Sequence, residues 1–225
     1  MAKAPLAGAV KTRLVPFLTA DQAAELARAL LVDQLEHLCA LESADVYLAF
    51  APPGEEALMR RLAPARFALF PQSEGDLGAR MQNIFTQLFA RGYRAVVLIG
   101  ADLAPVPLEY LAEAFKYLNG EKSPFDRPQQ RVVLGPSKDG GYYLIGLHRE
   151  LPALFENRTW SHDRVLAQSL ARLRELGVAT KVLPLWFDID TPDDLKDFAA
   201  FLDQPQKAPM KNSLPLLRRW VAERR

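Results

Sequence analysis

The 225 residues are 49% hydrophobic and 24% charged, which is typical of a globular protein with a core large enough for one sizeable α/β domain. With 28 Lys and Arg residues against 27 Asp and Glu residues, the net charge is +1 and does not favour nucleic acid or an anionic membrane as a partner. The single cysteine, Cys39, excludes an internal disulfide or a cysteine-based zinc site, and the lack of any apolar run long enough to span a membrane predicts a cytoplasmic protein.

The N-terminal segment, residues 2–14, combines cations with glycine and other small residues, as phosphate-binding loops do. Small residues let backbone N–H groups approach an anion, while Lys11 supplies a point charge and Arg13 a planar guanidinium that fits phosphate oxygens. A solvated basic terminus is the alternative interpretation. The candidate nucleotide-binding residues of this segment are Lys3, Gly8, Lys11 and Arg13.

Helices and strands are then predicted to alternate along the chain. A capping box of Thr19 and Gln22 precedes a first amphipathic helix, and strands at 46–50 and 67–70 flank a short helix at 55–62. The second strand leads into a glycine-containing loop, residues 71–81, that opens a helix running to about residue 91. A helix N-terminus beside glycines can bind an anion, although an aspartate there could equally be only the N-cap. The candidate nucleotide-binding residues here are Gly75, Asp76, Gly78 and Arg80.

The apolar run at 96–99 stops at Gly100 and is followed by Asp102. An unbroken apolar run favours a parallel strand buried on both faces, and ligands of open α/β sheets bind outside the carboxyl ends of such strands. Asp102 is therefore a candidate catalytic residue and metal ligand, whereas an aspartate that only caps the turn is the alternative. A helix at 107–118 and a polar loop at 119–130 follow.

A second carboxylate, Asp139, lies between predicted strands at 132–135 and 142–147. Asp139 is a candidate catalytic residue, and Gly140 and Gly141 are candidate nucleotide-binding residues. A hairpin turn would explain the Asp-Gly-Gly sequence without any chemistry, since such dipeptides are favoured connectors. Beyond it, Ser161 is predicted to be the N-cap of a further helix, and Trp160 either lines a pocket or fills the core.

Two more carboxylates, Asp188 and Asp190, follow a strand predicted at 180–183. Because they alternate, an extended segment would point both to one face, where they could bind one cation together. Thr191 is predicted to be the N-cap and Asp194 the N3 residue of the next helix. The candidate metal ligands are thus Asp102, Asp188 and Asp190.

These motifs together resemble a known family. They are Lys11-Thr12-Arg13-Leu14, residues 75–81, Leu98-Ile99-Gly100-Ala101-Asp102, residues 139–147, Trp160-Ser161 and residues 188–195. In this combination and order they resemble the bacterial GT-A-like glycosyltransferase family related to 2-phospholactate guanylyltransferase, within the nucleotide-diphospho-sugar transferase superfamily. Some members of that family are labelled arsenosugar biosynthesis glycosyltransferases.

The resemblance implies a Rossmann-like three-layer α/β/α sandwich with a mostly parallel sheet. It implies a nucleotide at the strand ends, with Lys11 and Arg13 near its phosphates and Asp102 at a divalent metal. Residues 1–202 would form this GT-A-like domain, and 203–225 a linker and a basic amphipathic helix. Related chains carry an apolar strand before the Ala-Lys-Ala-Pro segment in which this chain begins, so the first strand is expected to be missing unless the true start lies upstream.

The sequence therefore predicts a transferase that depends on Mg²⁺ or Mn²⁺ and acts on a nucleotide-activated substrate and a small-molecule acceptor. Lys11 and Arg13 would neutralise charge on the leaving group, and Asp139 would orient the acceptor or a water molecule that does not bind the metal directly. The residues favour nucleotidyl transfer from an NTP, whereas the family label favours glycosyl transfer from an NDP-sugar. A nucleotide-binding protein without catalysis is the third alternative. No nucleic acid partner and no membrane span are expected, and a homodimer is left open.

Overall fold

The computed structural model describes residues 1–120, 130–156, 158–195, 198 and 210–222. The chain divides into two compact units: the first comprises Met1–Pro71, Gly100–Leu108 and Phe187–Arg225, and the second Gln72–Ile99 and Glu109–Trp186. In the part of the chain that is described, no helix is both long and apolar enough to cross a membrane.

The first unit contains a parallel three-stranded sheet in the order β1-β2-β3. Its strands are β1 (Ala2–Lys3), β2 (Tyr47–Ala51) and β3 (Ala68–Pro71), and its helices are α1 (Ala20–Leu38), α2 (Glu56–Leu62) and α6 (Ser213–Ala222). The first strand was expected to be missing before this segment, whereas Ala2 and Lys3 themselves form β1 and pair with Phe50 and Ala51. The predicted capping box of α1 is confirmed: Thr19 and Gln22 bond reciprocally, side chain to backbone N–H.

The second unit contains a four-stranded sheet in the order β4-β6-β5-β7. Its strands are β4 (Val96–Ile99), β5 (Arg131–Pro136), β6 (Tyr142–Leu147) and β7 (Ala179–Val182), and its helices are α3 (Leu77–Ala90), α4 (Leu108–Leu118, beginning in the first unit) and α5 (Val165–Glu175). β5 and β7 are parallel, whereas β6 runs antiparallel to both β4 and β5. The α/β class predicted from the sequence is confirmed.

Two local predictions were wrong. The described partner of β4 is β6, to which it is antiparallel, and its residues alternate between buried and half-buried rather than being buried on both faces. Ser161 does not cap α5: it has a left-handed φ of 65°, and the helix begins only at Val165, after an N-cap residue, Arg164, that makes no side-chain cap. An uninterrupted apolar run indicates burial but not the direction of the neighbouring strand.

The C-terminal helix α6 packs against α1 through a buried carboxylate. Asp33, which is 1% exposed, accepts hydrogen bonds from the backbone N–H and side chains of Asn212 and Ser213 at the start of α6. The predicted division at residue 202 stays a prediction, because most of the predicted linker at 203–213 lies outside the described residues. The same holds for most of the loop predicted at 119–130.

Candidate active site

Lys11 joins three distant segments of the first unit. Its side chain is 1% exposed, and its ammonium group donates to the main-chain oxygen of Asp102 at 2.5 Å and to the carboxylate of Asp190 at 2.8 Å. The residue has a left-handed φ of 49°, an uncommon conformation for a side-chain-bearing residue. The loop predicted to bind phosphate therefore places a buried cation beside two of the three predicted metal ligands.

The Asp102 carboxylate is half-buried and accepts no hydrogen bond from any described residue. Burial lowers the pKa of the Met1 amino group to about 6, although the negative charge of Asp102 partly offsets this shift. Across from it, Leu103 forms an antiparallel bridge with Asp188, which places the segments around residues 102 and 188 side by side. Asp102 is thus a carboxylate available to a ligand.

Asp190 lies just before the helical residues 192–195 of this unit. As predicted, Thr191 and Asp194 form the cap, with the Asp194 carboxylate accepting from the backbone N–H of Thr191 at 2.7 Å and of Asp190 at 3.0 Å. These bonds hold the Asp190 backbone, so its side chain, which is 40% exposed, is directed by the cap toward Lys11.

The donor set of the first unit suits a divalent cation that arrives with a phosphorylated ligand. Among the described residues, no group of three or more His, Cys, Asp or Glu side chains lies close enough together to bind a metal ion. Mg²⁺ in nucleotide sites is commonly held by one or two carboxylates together with the substrate phosphates. The available Asp102 carboxylate fits that arrangement, together with Asp190 or with Asp188, whose segment is bridged to the neighbouring Leu103, better than it fits an all-protein cage.

The other predicted residues of the N-terminal loop lie at the surface. Lys3 and Arg13 are exposed, and Gly8 is exposed with a positive φ of 76°. Glycine suits this conformation, and a methyl group on Gly8 would meet nothing within 4 Å. Of these residues, the described contacts therefore bring only Lys11 to the carboxylates.

In the second unit, the glycine-containing loop closes on itself before α3. Asp76 is the N-cap and accepts from the backbone N–H of Ala79 at 2.8 Å, and the Arg80 Nε donates to the carbonyl of Gly75 at 2.9 Å. Gly75 has a φ of 108°, which favours glycine. The N-cap interpretation of Asp76 is thus confirmed, while the remaining guanidinium nitrogens of Arg80 bond to no described residue.

The Asp139 loop of the second unit connects β5 to β6 as an antiparallel hairpin. The carboxylate of Asp139 accepts from the hydroxyl of Ser137 at 2.5 Å and from the backbone N–H of Gly141 at 2.9 Å. Gly140 has a φ of 83°, and a methyl group on it would overlap the backbone of Asp163. The hairpin interpretation therefore accounts for both the aspartate and the first glycine.

Gly78 and Trp160 form a contact that the sequence interpretation missed. Gly78 is buried at the second position of α3, and a methyl group on it would overlap the indole ring of Trp160. A glycine inside a helix costs roughly 1 kcal/mol relative to alanine, so its presence was the one signal in the sequence that pointed to close packing there.

Comparison with known proteins agrees with this description. The crystal structure of a protein from Desulfovibrio desulfuricans G20, provisionally named a nucleotide-diphospho-sugar transferase, is similar with a TM-score of 0.83 and 29% identity, over 97% of this chain and 95% of that one. A 4-diphosphocytidyl-2C-methyl-D-erythritol synthase from Anaerococcus prevotii DSM 20548 shares the fold, with a TM-score of 0.54 and 11% identity over 78% of this chain and 86% of that one. No curated protein matches the chain.

The fold is thus the Rossmann-like, GT-A-like fold of nucleotide-diphospho-sugar transferases, as the motifs predicted. The chain belongs to the family described as uncharacterized protein conserved in bacteria (DUF2064), whose profile matches residues 34–162. That match includes Asp102, Asp139 and the α3 loop.

Proposed function

We propose that the protein is a transferase that binds a nucleotide-activated substrate and uses Asp102 and Lys11 at its reacting phosphates. The observation that carries this proposal is the half-buried Asp102 carboxylate, which accepts no hydrogen bond from the described residues, on the same residue whose main-chain oxygen accepts from the buried Lys11 ammonium group. The likeness to the D. desulfuricans protein over nearly the whole of both chains supports it. A half-buried carboxylate that accepts no hydrogen bond is more typical of a ligand site than of a core.

Lys11 would bind a phosphate oxygen through its one remaining N–H donor. An ammonium group has three N–H donors, and the contacts to Asp102 and Asp190 use two of them. Arg13, exposed in the same loop, would add a planar guanidinium to the negative charge that develops on the leaving group.

Asp102, with Asp188 or Asp190, would hold a Mg²⁺ or Mn²⁺ ion. Such an ion, when bound, neutralises phosphate charge and acts as a Lewis acid on a phosphoryl oxygen. The carboxylates of this chain would fix its position, and Lys11 would hold the segments that carry them together.

Nucleotidyl transfer from an NTP is the reaction that the residues favour. An acceptor oxygen would bond to the α-phosphorus, the bond between the α-phosphorus and its bridging oxygen would break, and pyrophosphate would leave with that electron pair. Glycosyl transfer from an NDP-sugar is the second candidate, because the similar protein from D. desulfuricans is provisionally named a nucleotide-diphospho-sugar transferase. There the acceptor oxygen would bond to the anomeric carbon, the bond between that carbon and the phosphate oxygen would break, and the nucleoside diphosphate would leave with that electron pair.

A thermal-shift screen of the four NTPs and common NDP-sugars, each with and without Mg²⁺, tests the proposal, since a ligand that binds only the folded protein raises its Tm. We expect Mg²⁺ alone to have little effect and Mg²⁺ with one NTP to raise the Tm by several degrees. Pyrophosphate release in the presence of acceptor candidates would then identify nucleotidyl transfer, and release of a nucleoside diphosphate would identify glycosyl transfer.

A folded sample that no nucleotide stabilises would overturn the proposal. Binding of a nucleotide without turnover of any acceptor candidate would favour the third alternative, a nucleotide-binding protein without catalysis. A cytoplasmic location and a homodimer remain predictions that belong to this proposal, and gel filtration with light scattering would decide the second.

A further inference from the structure

β7 is an edge strand of the sheet in the second unit, and one side of its backbone pairs with no described residue. On the other side it is parallel to β5, and the N–H groups of Ala179 and Leu183 donate to carbonyl oxygens of the β5 segment at 2.9 and 2.8 Å. Backbone groups alternate in direction along a strand, so those of Thr180 and Val182 point away from β5. This edge therefore offers two N–H donors and two carbonyl acceptors that bond to no described residue.

The features that usually prevent an edge strand from pairing further are missing in β7. Such strands are commonly protected by proline, by a bulge or by a charged side chain. β7 contains no proline and pairs with β5 without a bulge. Its one charge is compensated, because the ammonium group of Lys181 lies 2.6 Å from the carboxylate of Glu113 on α4. The edge is thus open to a further strand.

Exposed apolar side chains accompany the unpaired backbone of β7. Val182 is 48% exposed, and Leu185, three residues further along the chain, is exposed to the same degree. Leu176, just before the strand, is exposed as well. β-Branched side chains stabilise a sheet when they lie opposite each other on neighbouring strands. A strand added at this edge would therefore cover apolar surface in addition to satisfying backbone groups.

We propose that β7 pairs with β7 of a second copy of this chain, antiparallel and about a two-fold axis at Lys181. In this register Thr180 of each copy lies opposite Val182 of the other, and each such pair exchanges two backbone hydrogen bonds. All the outward-pointing groups of Thr180 and Val182 are then used. A two-fold contact needs a surface that is complementary to itself, and this spacing of the outward residues provides one. The two Lys181 side chains would face each other, but each is neutralised by Glu113.

Sedimentation velocity of the full chain, from about 1 µM to about 0.5 mM, tests whether the dimer forms. Because the paired edge is short, we expect a weak dimer that dissociates on dilution. Val182→Lys adds an uncompensated charge to the edge and should weaken dimerisation at least about tenfold. Val15→Lys is the matched control: Val15 is 42% exposed but lies in the first unit, so this variant should dimerise within about twofold of the wild type.

Cysteine cross-linking tests the register, in a background in which Cys39→Ala removes the native thiol. Lys181→Cys should form a disulfide-linked dimer under mild oxidation, because residues opposite each other in a non-hydrogen-bonded pair have Cα atoms about 4.5 Å apart. Thr180→Cys is the matched control. Its own counterpart lies diagonally across the interface at about 7–8 Å, which is too far for a disulfide without movement of the backbone. This measurement also covers the case in which Val182→Lys does not fold.

A wild-type protein that stays monomeric at every concentration would overturn the proposal and leave the edge to another segment of this chain or to another protein. A dimer that Val182→Lys does not weaken would overturn it as well, since the contact would then lie elsewhere. Equal cross-linking of Thr180→Cys and Lys181→Cys would contradict the register and with it the two-fold pairing. None of these results bears on the proposed function, which rests on residues of the first unit.

Discussion

Removing Asp190 should destabilise the protein more than removing Lys11, because the two ends of their ion pair differ in exposure. The side chain of Lys11 is 1% exposed and that of Asp190 is 40% exposed. After Lys11→Met the carboxylate can turn to water, and we expect a loss of about 1–2 kcal/mol in the free energy of unfolding. After Asp190→Ala the buried ammonium keeps only the Asp102 carbonyl, and an uncompensated buried charge costs about 3–5 kcal/mol.

Urea unfolding of both variants and of the double variant measures this difference. The double variant should be more stable than Asp190→Ala alone, because no charge is then left buried. Lys181→Met is the control: its ammonium pairs with Glu113 at 2.6 Å, but the side chains are 34% and 43% exposed, so the loss should stay within about 1 kcal/mol. If Asp190→Ala were no worse than Lys11→Met, the buried-charge reasoning would be refuted.

Two further side chains, Asp33 and His148, are expected to affect the stability of the protein. Asp33→Ala removes four hydrogen bonds to Asn212 and Ser213 and should cost about 3 kcal/mol, with faster amide exchange in α6, whereas Asp33→Asn should fall in between. Burial lowers the pKa of His148, whose Nδ1 accepts from the backbone N–H of Arg131. The unfolded chain therefore takes up this proton first, and stability present above about pH 6.5 should fall as the pH drops toward 5. In the His148→Asn variant, the decrease in Tm on lowering the pH should lack the part that protonation of this histidine causes.

Much of the secondary structure could be predicted because its causes are local. The cap of α1 depends on Thr19 and Gln22 alone, and the cap at Thr191 on Asp194 three residues later, so each can be recognised in a short window. The direction of β4 could not be predicted in the same way. Its apolar run shows that it is buried, but its pairing with β6 depends on the hairpin from β5, which lies more than 30 residues away.

At the candidate site, too, the residue types could be predicted from the sequence, whereas the partners of their side chains could not. The sequence indicated that Lys11 belongs to a cationic loop, but not that its side chain turns inward to Asp102 and Asp190, which are 91 and 179 residues away along the chain. Nor could it indicate that Gly78 admits an indole from residue 160. Such contacts depend on the tertiary structure, and only the unusual placement of a glycine in a helix gave a local sign of one.

Asp102 and Asp139 were equivalent in the sequence, as carboxylates at the ends of predicted strands. The structure shows that their hydrogen bonds differ. Asp139 is committed to Ser137 and Gly141 within its hairpin, whereas the Asp102 carboxylate accepts from no described residue. Asp139→Ala should therefore lower stability by about 1–2 kcal/mol and keep the Mg²⁺-dependent Tm increase caused by a nucleotide. Asp102→Asn should leave the ligand-free Tm nearly unchanged and lose that increase. The opposite pattern in the two variants would assign the metal to the hairpin and show that the Asp102 carboxylate serves the fold.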